Sequence, residues 1–500
     1  MVRVQLPLTG EALAHRRQRG SGAERSARPS EDGTMGSRAA EQCGDARQLA
    51  ARLDAEGVRN VALTWVDNAG IARVKAIPAP RLPHAVERGV GMSPCFDVYT
   101  SDDAMTESED LGGPDGDLRL FPDLDRITPL AAQPGWAWAP VDRYDQEGRP
   151  HPACQRLFAR RMAERAAAAG LDLSMGFETE WVVTRAPATL TPAAEGAFEP
   201  LDHPCAGPAY GMTRIVELSD YLRDITEALA LQGIDVLQVH PEYAPGQFEV
   251  TTAPGDPVRA ADDAALVRET IRAVSARHGL RASFAPSVVA GQVGNGCHLH
   301  LGLYRDGQSL HRVPDTEWGL APDAVAFLGG ILGALPALLA IGCPSPASYL
   351  RLQPSHWAGV YQCWGLENRE AALRLITGAP DDPDGGQAEV KTFDAAANPY
   401  LAVGAVIAAG LHGVETRAQL PAPERGDPGL LGVRERARRG IVRLPATLTE
   451  ATDRLEKSAP LHEALGKVLH GAIIAVRRAE EARFAESDAD EIAAATRWRW

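Results

Sequence analysis

Three short stretches carry acidic and imidazole side chains at spacings that could bring them together. "FETEW" puts Glu178 and Glu180 two residues apart. On a strand, period two turns both to one face and leaves Phe177, Thr179 and Trp181 on the other. Two neighbouring carboxylates repel, and burying them is unfavourable unless cations sit between them. Taken alone, the stretch fits a solvent-facing polar stripe equally well. "HPEYAPGQFEV" holds Glu242 and Glu249 on either side of a Pro-Gly break. A loop between two extended arms would bring both carboxylates to one place. "VGNGCHLHLGL" sets His298 and His300 on one strand face, behind Gly294 and Gly296, where glycine lets backbone approach a ligand closely. Two satisfied core histidines are the competing reading. Glu389 follows on a further extended run, ahead of Asn398-Pro399 and an apolar helix.

Five glutamates and one imidazole make an oxygen-rich donor set, which suits Mg²⁺ or Mn²⁺ rather than structural zinc. "YLRLQPSHWAGVYQCWGLENREAALRL" adds Arg351, Arg369 and Arg374, whose forks match phosphate and carboxylate oxygens. Metals together with arginines point to phosphoryl transfer, in which the protein positions groups and neutralises charge. A metal-dependent hydrolase would use the same ligands, but the arginine-rich segment favours ATP. Neither a GxxxxGK[ST] loop nor a GxGxxG fingerprint is present, so another fold must bind the nucleotide.

The elements that must position these residues fall into two parts. Residues 44–57 have helical spacing and end at Gly57. A β-hairpin follows, with alternation from Val61 to Val66, a "DNAG" turn, and renewed alternation to Ile77. A small α+β domain over 44–148 fits, with Pro150 and Pro152 after it. The second domain, 149–500, mixes strands with helices predicted at 217–232, 259–278, 396–415 and 460–486. The uncharged run from Ala324 to Leu350 has the length of a membrane span, but Gly329, Gly330, Gly333 and Pro336 interrupt it. It is expected to be a helix buried in a large domain.

The formal net charge of -15 argues against nucleic-acid binding and for small-molecule chemistry. Seven cysteines without a CxxC read as reduced thiols in a cytoplasmic protein with no membrane partner. Residues 1–43, rich in Arg, Ser, Gly and Ala without an apolar core, are expected to form a disordered tail.

In order along residues 45–485, these segments resemble the glutamine synthetase family. The most specific pieces are "EYAPGQFEV", "GNGCHLHLGL", "ENREAALRL" and "VKTFDAAANPYLAVGAVIAAG". The resemblance implies an α+β fold: an N-terminal β-grasp domain and a catalytic domain on a curved antiparallel sheet. It implies homo-oligomeric rings, hexamer or dodecamer, with active sites between subunits. It also implies an ATP-dependent ligase that joins the γ-carboxylate of glutamate to an amine through a γ-glutamyl phosphate, with two to three Mg²⁺ or Mn²⁺ ions per site. Carried over by motif, Glu180, Glu242 and Glu249 would hold one ion, and Glu178, His298 and Glu389 another. His300 would face phosphate or substrate, Arg351 the α-carboxylate, and Arg369 and Arg374 the transferring phosphoryl group. Gly294 and Gly296 would offer backbone to the substrate amine.

The chain also departs from the family. Members that use ammonia carry a glutamate in the flap after "RLVPG"; here "RLQPSHWAGV" places Trp357 there. The family's "DGSS" ammonium segment is replaced by "GMSPCFDVYT". An indole suits the carbon skeleton of a larger amine better than a small bare cation, so an amine larger than ammonia is expected. Glutamine synthetase proper and a non-catalytic structural member are the alternatives. Lys391 replaces a substrate-binding arginine, which keeps the charge but loses the fork. Val293 replaces an asparagine near the glutamate. No tyrosine of the kind some bacterial members adenylylate occurs in "RAQLPAPERGD".

Overall fold

The computed structural model describes residues 35–186, 201–378, 382 and 385–500. Residues 1–34 of the expected tail lie outside the described residues. The first helix runs Met35–Ala55, so it begins inside the stretch read as tail. "SRAAEQ" continues the backbone preference for helix upstream without extending the apolar face.

The first sheet has six strands: β1 (Asn60–Val66), β2 (Ala72–Pro78), β3 (Val90–Met92), β4 (Leu118–Pro122), β5 (Thr128–Pro129) and β6 (Trp136–Tyr144). Their order is β2-β1-β6-β4-β3, with β5 on β6 and a parallel β1–β6 pair at the centre. The hairpin forms as expected. Val61, Leu63 and Trp65 point into the small core, and Asp67 Oδ1 accepts the Ala69 and Ile71 amides to close the turn.

That turn is buried against the second domain. Asn398 Nδ2 donates to the Val66 and Asp67 carbonyls, and Arg477 Nη1 to that of Asn68. Gly70 has φ +79°, and a Cβ there would stand 1.8 Å from the Ala396 carbonyl oxygen. Only glycine permits this contact.

The second sheet comprises β7 (Asp172–Arg185), β8 (Val236–Pro241), β9 (Gln247–Thr252), β10 (Leu280–Ser283), β11 (Cys297–Arg305), β12 (Gln308–Ser309), β13 (Tyr361–Leu366), β14 (Ala371–Ile376), β15 (Gln387–Val390) and β16 (Val442–Arg443). Its order is β16-β13-β14-β15-β11-β7-β9-β8, and β13–β14 is its one parallel pair among the described residues. Apolar helices back it. Pro322–Gly342 is the one helix among the described residues long and apolar enough to cross a membrane; it packs against Pro399–Thr416 as a mostly buried core helix. The helix expected over 460–486 is two, Ala459–Leu465 and Lys467–Arg483, because Gly466 takes φ +77°. All seven cysteines are unpaired.

Candidate active site

Strand register assembles the site. On β7, Phe177 and Trp181 enter the core, while Glu178 and Glu180 face the other side. Glu180 pairs with Glu249 on β9, and Glu249 pairs in turn with His240 on β8. In the other direction Glu178 pairs with His298 on β11, His300 with Glu389 on β15, and Glu389 with Arg374 on β14. One diagonal band of ionisable side chains therefore crosses six strands. It lies along a cavity of about 620 Å³ lined by Glu178, Glu180, Glu242, Glu249, His298 and His300, with Gly294, Arg351, Trp357, Arg369, Arg374 and Lys391. The solvent-facing stripe is overturned, because these side chains are buried; the two histidines are buried as well, but they line an open cavity.

The donor atoms of Glu178, His298 and Glu389 lie within 4.8 Å of one another, as do those of Glu180, Glu249 and His298. Glu242 joins Glu249 in a third such group with His240. His298 Nδ1 is 3.0 Å from Glu178 and 3.3 Å from Glu389. Burial, and then the Lys391 charge, lower the His298 imidazole to about 4, against the pull of Glu178. It is therefore neutral, as a metal ligand must be. Burial pushes Glu180 up to about 8, and the Glu249 carboxylate adds to this; the nearby Arg351 charge works against both. Burial and neighbouring carboxylates likewise raise Glu249, despite His240. Even with the Arg351 charge and His240 beside them, carboxylates buried and crowded in this way remain raised, so the donor set fits hard divalent ions.

The remaining expected residues differ in how they are held. Arg351 donates to the Thr392 and Lys391 carbonyls, and its Nη2 lies 3.3 Å from His298 Nε2. Arg374 bridges Glu389 and Glu367. Lys391 Nζ donates to Glu389 at 3.0 Å. That ammonium, helped by both histidines, overcomes the effect of burial and holds Glu389 down near 2. His300 lies 3.1 Å from Glu178, with Nδ1 3.2 Å from Gln387. Burial opposes its protonation, but Glu178 raises it. The Gly296 N–H donates to the Glu180 carboxylate and its carbonyl accepts the Glu180 amide. A Cβ on Gly296 would stand 2.4 Å from His298 Nε2.

Four residues escaped the sequence reading. His240 sits between Glu242 and Glu249, at 3.3 and 3.2 Å, and those two carboxylates raise it to about 10 against the cost of burial. Its position two residues before Glu242 was the available signal. Gln247, fully buried, donates to Glu180, the Gly294 carbonyl and Asn295, each at 3.0 Å. Tyr210 donates its hydroxyl to Glu242 and stacks on His240 at 5.0 Å. Tyr243 meets Tyr210 edge-on at 6.0 Å and Trp357 edge-on at 5.6 Å. Trp357 is 48% exposed and has φ +55°, uncommon for a bulky residue. An aromatic wall thus stands beside the Glu242 carboxylate.

A family model described as glutamine synthetase, catalytic domain, matches residues 152–494, and one for the glutamine synthetase N-terminal domain matches residues 46–147. The gamma-glutamylpolyamine synthetase GlnA3 of Streptomyces coelicolor is 53% identical over 457 residues, which is 91% of this chain and 96% of the relative. The glutamine synthetase of Methanosarcina mazei is 31% identical, over 82% of this chain and 88% of its own. The glutamate–methylamine ligase of Methyloversatilis universalis is 30% identical, over 82% and 90%. A solved structure described as a novel glutamine synthase homolog superposes with a TM-score of 0.77 at 34% identity, covering 89% of this chain and 99% of that one. An ADP complex of GmaS gives 0.75 at 29% identity, covering 88% and 97%.

Proposed function

The chain belongs to the glutamine synthetase family, and we propose that its nucleophile is an organic amine of the polyamine class rather than ammonia. It is an ATP-dependent ligase that joins the γ-carboxylate of glutamate to an amine. The observation that carries the choice of amine is the wall of Trp357, Tyr243 and Tyr210 beside Glu242. Aromatic faces attract alkylammonium groups and cover their methylenes. In the segment Gly91–Thr100, the one carboxylate, Asp97, is buried and held by Arg143 at 2.8 Å and His151 at 2.9 Å. It is not available to a small cation. The relative of 53% identity, named for polyamines, supports the same reading.

The reaction proceeds in two displacements. A γ-carboxylate oxygen attacks the terminal phosphorus of ATP, and ADP leaves. The amine nitrogen then attacks the acyl carbon, phosphate leaves, and the nitrogen loses a proton. Family members use ATP and a divalent metal; bound at these clusters, the metal neutralises developing charge on the phosphoryl oxygens. Glu178, His298 and Glu389 would hold one Mg²⁺ or Mn²⁺. Glu180, Glu242 and Glu249 would hold another, with Gln247 fixing the Glu180 carboxylate. Arg351, fixed by two carbonyls, would bind the α-carboxylate. Arg369 and Arg374 would neutralise the moving phosphoryl group, with His300 oriented toward its oxygens. Lys391 would complement the acid substrate through its charge. We place the enzyme in the cytoplasm, where its seven free thiols stay reduced, as a homo-oligomeric ring.

Trapping tests the acyl phosphate. With glutamate, ATP and Mg²⁺, hydroxylamine should yield γ-glutamyl hydroxamate. A complete lack of hydroxamate under those conditions would contradict the mechanism.

A further inference from the structure

A second cavity, of about 580 Å³, lies on the other side of the flap. Trp357 and Arg369 line both cavities, so the two adjoin at these residues. Four carboxylates line the outer one, Glu367, Glu370, Glu424 and Asp427, together with two arginines, Arg369 and Arg425. Two already have cationic partners, since Glu367 pairs with Arg374 at 2.8 Å and Glu424 with Arg439 at 2.9 Å. Glu370 and Asp427 make no ion pair shown in the structure. Asp427 accepts the Ser355 hydroxyl and the Gly429 amide. Glu370 is 7% exposed; its Oε1 accepts the Trp357 amide at 2.8 Å, while its Oε2 is buried without a hydrogen-bond partner among the described residues. Burial raises the Glu370 carboxyl, and the Asp427 charge adds to this. A buried carboxylate left half-satisfied beside a second carboxylate is costly and calls for a positive ligand.

The form of that ligand follows from the lining. Among the described residues, the three tight clusters of possible metal donors involve only inner-cavity residues and Glu389, and none includes an outer-cavity carboxylate. Spread carboxylates do not make a divalent-ion cage. The exposed apolar surfaces of Trp357 and Leu366 instead suit a methylene chain. We propose that the outer cavity is a subsite for the distal ammonium of an α,ω-diamine or polyamine, held between Glu370 and Asp427. The chain would pass Trp357, and the reacting amine would lie at the Tyr210–Glu242 end of the inner cavity. This rests on the organic-amine reading above and extends it from amines in general to those with a second charge.

The test compares an α,ω-diamine with the monoamine of equal carbon number in wild type, Glu370→Gln, Asp427→Asn and the double variant. Both substitutions keep an acceptor oxygen for the flap amide and the 427–429 turn while removing the charge. Wild type should prefer the diamine in kcat/KM. The double variant should lose about tenfold of that preference, mainly through KM, as expected for one partly desolvated charge pair. Monoamine turnover in the same preparations reports folding, and Asp427→Asn alone should reproduce part of the loss. Equal wild-type use of the two amines, or an unchanged ratio in every variant, would overturn the subsite. Ammonia outrunning both amines would instead overturn the reading on which it rests.

Discussion

Glu180 shows how a residue can be unfavourable to folding and necessary to chemistry. Its carboxylate is buried against Glu249 and Glu242, accepts from Gln247 and the Gly296 amide, and lies near the Arg351 charge and 3.9 Å from His298 Nε2. Glu180→Ala should abolish phosphate release while leaving the metal-free melting temperature unchanged or higher; retained turnover would refute the metal assignment. The sign of the pH effect follows from the same shift. Burial and mutual repulsion raise both the Glu180 and Glu249 carboxyls, so this pair holds protons to higher pH in the metal-free protein than ordinary carboxyls do, whereas a metal requires the carboxylates. Metal binding should therefore release a proton near neutrality, and affinity should fall as pH drops below about 8. Mn²⁺ titrations by calorimetry in two buffers of different protonation enthalpy measure this, and a buffer-independent heat would contradict it. Trp357→Ala should raise KM for an organic amine about tenfold, the scale of one desolvated cation–π contact, with a smaller effect on kcat.

At the scale of elements, the site is a matter of register. Period two makes the shared face of Glu178 and Glu180, and of His298 and His300, legible in the sequence. It does not say which strand lies beside which. His240, Gln247 and Tyr210 therefore went unassigned, since each acquires its role from a neighbour distant in sequence. Gly296 is legible as a position of close backbone approach, but that its N–H meets the Glu180 carboxylate follows only from the β11–β7 junction. The break at Gly466 was missed for a related reason. A lone glycine in an apolar periodic run is tolerated in many helices, and only its positive φ reveals the break. Gly296→Ala would force a methyl group against His298, Arg351 and Glu180 at once. It should cost about 2 kcal/mol or more of stability and metal affinity together, read by denaturant unfolding and metal titration. Wild-type values in both would contradict this packing.

At the scale of the whole molecule, the buried hairpin turn locks two sheets into one body. Gly70, Asn398 and Arg477 form that lock. The hairpin was legible from "DNAG", but not what it packs against, because the partners come from residues more than three hundred positions away. Gly70→Ala should lower the melting temperature by several degrees, since a methyl cannot fit 1.8 Å from a carbonyl oxygen. The choice of amine is tested most sharply by ATP-dependent phosphate release with glutamate and Mg²⁺, comparing ammonia with short alkylamines, ethanolamine, diamines and polyamines. Rapid release with at least one organic amine and little with ammonia is the expected result. Strong release with ammonia and none with the organic amines would contradict it.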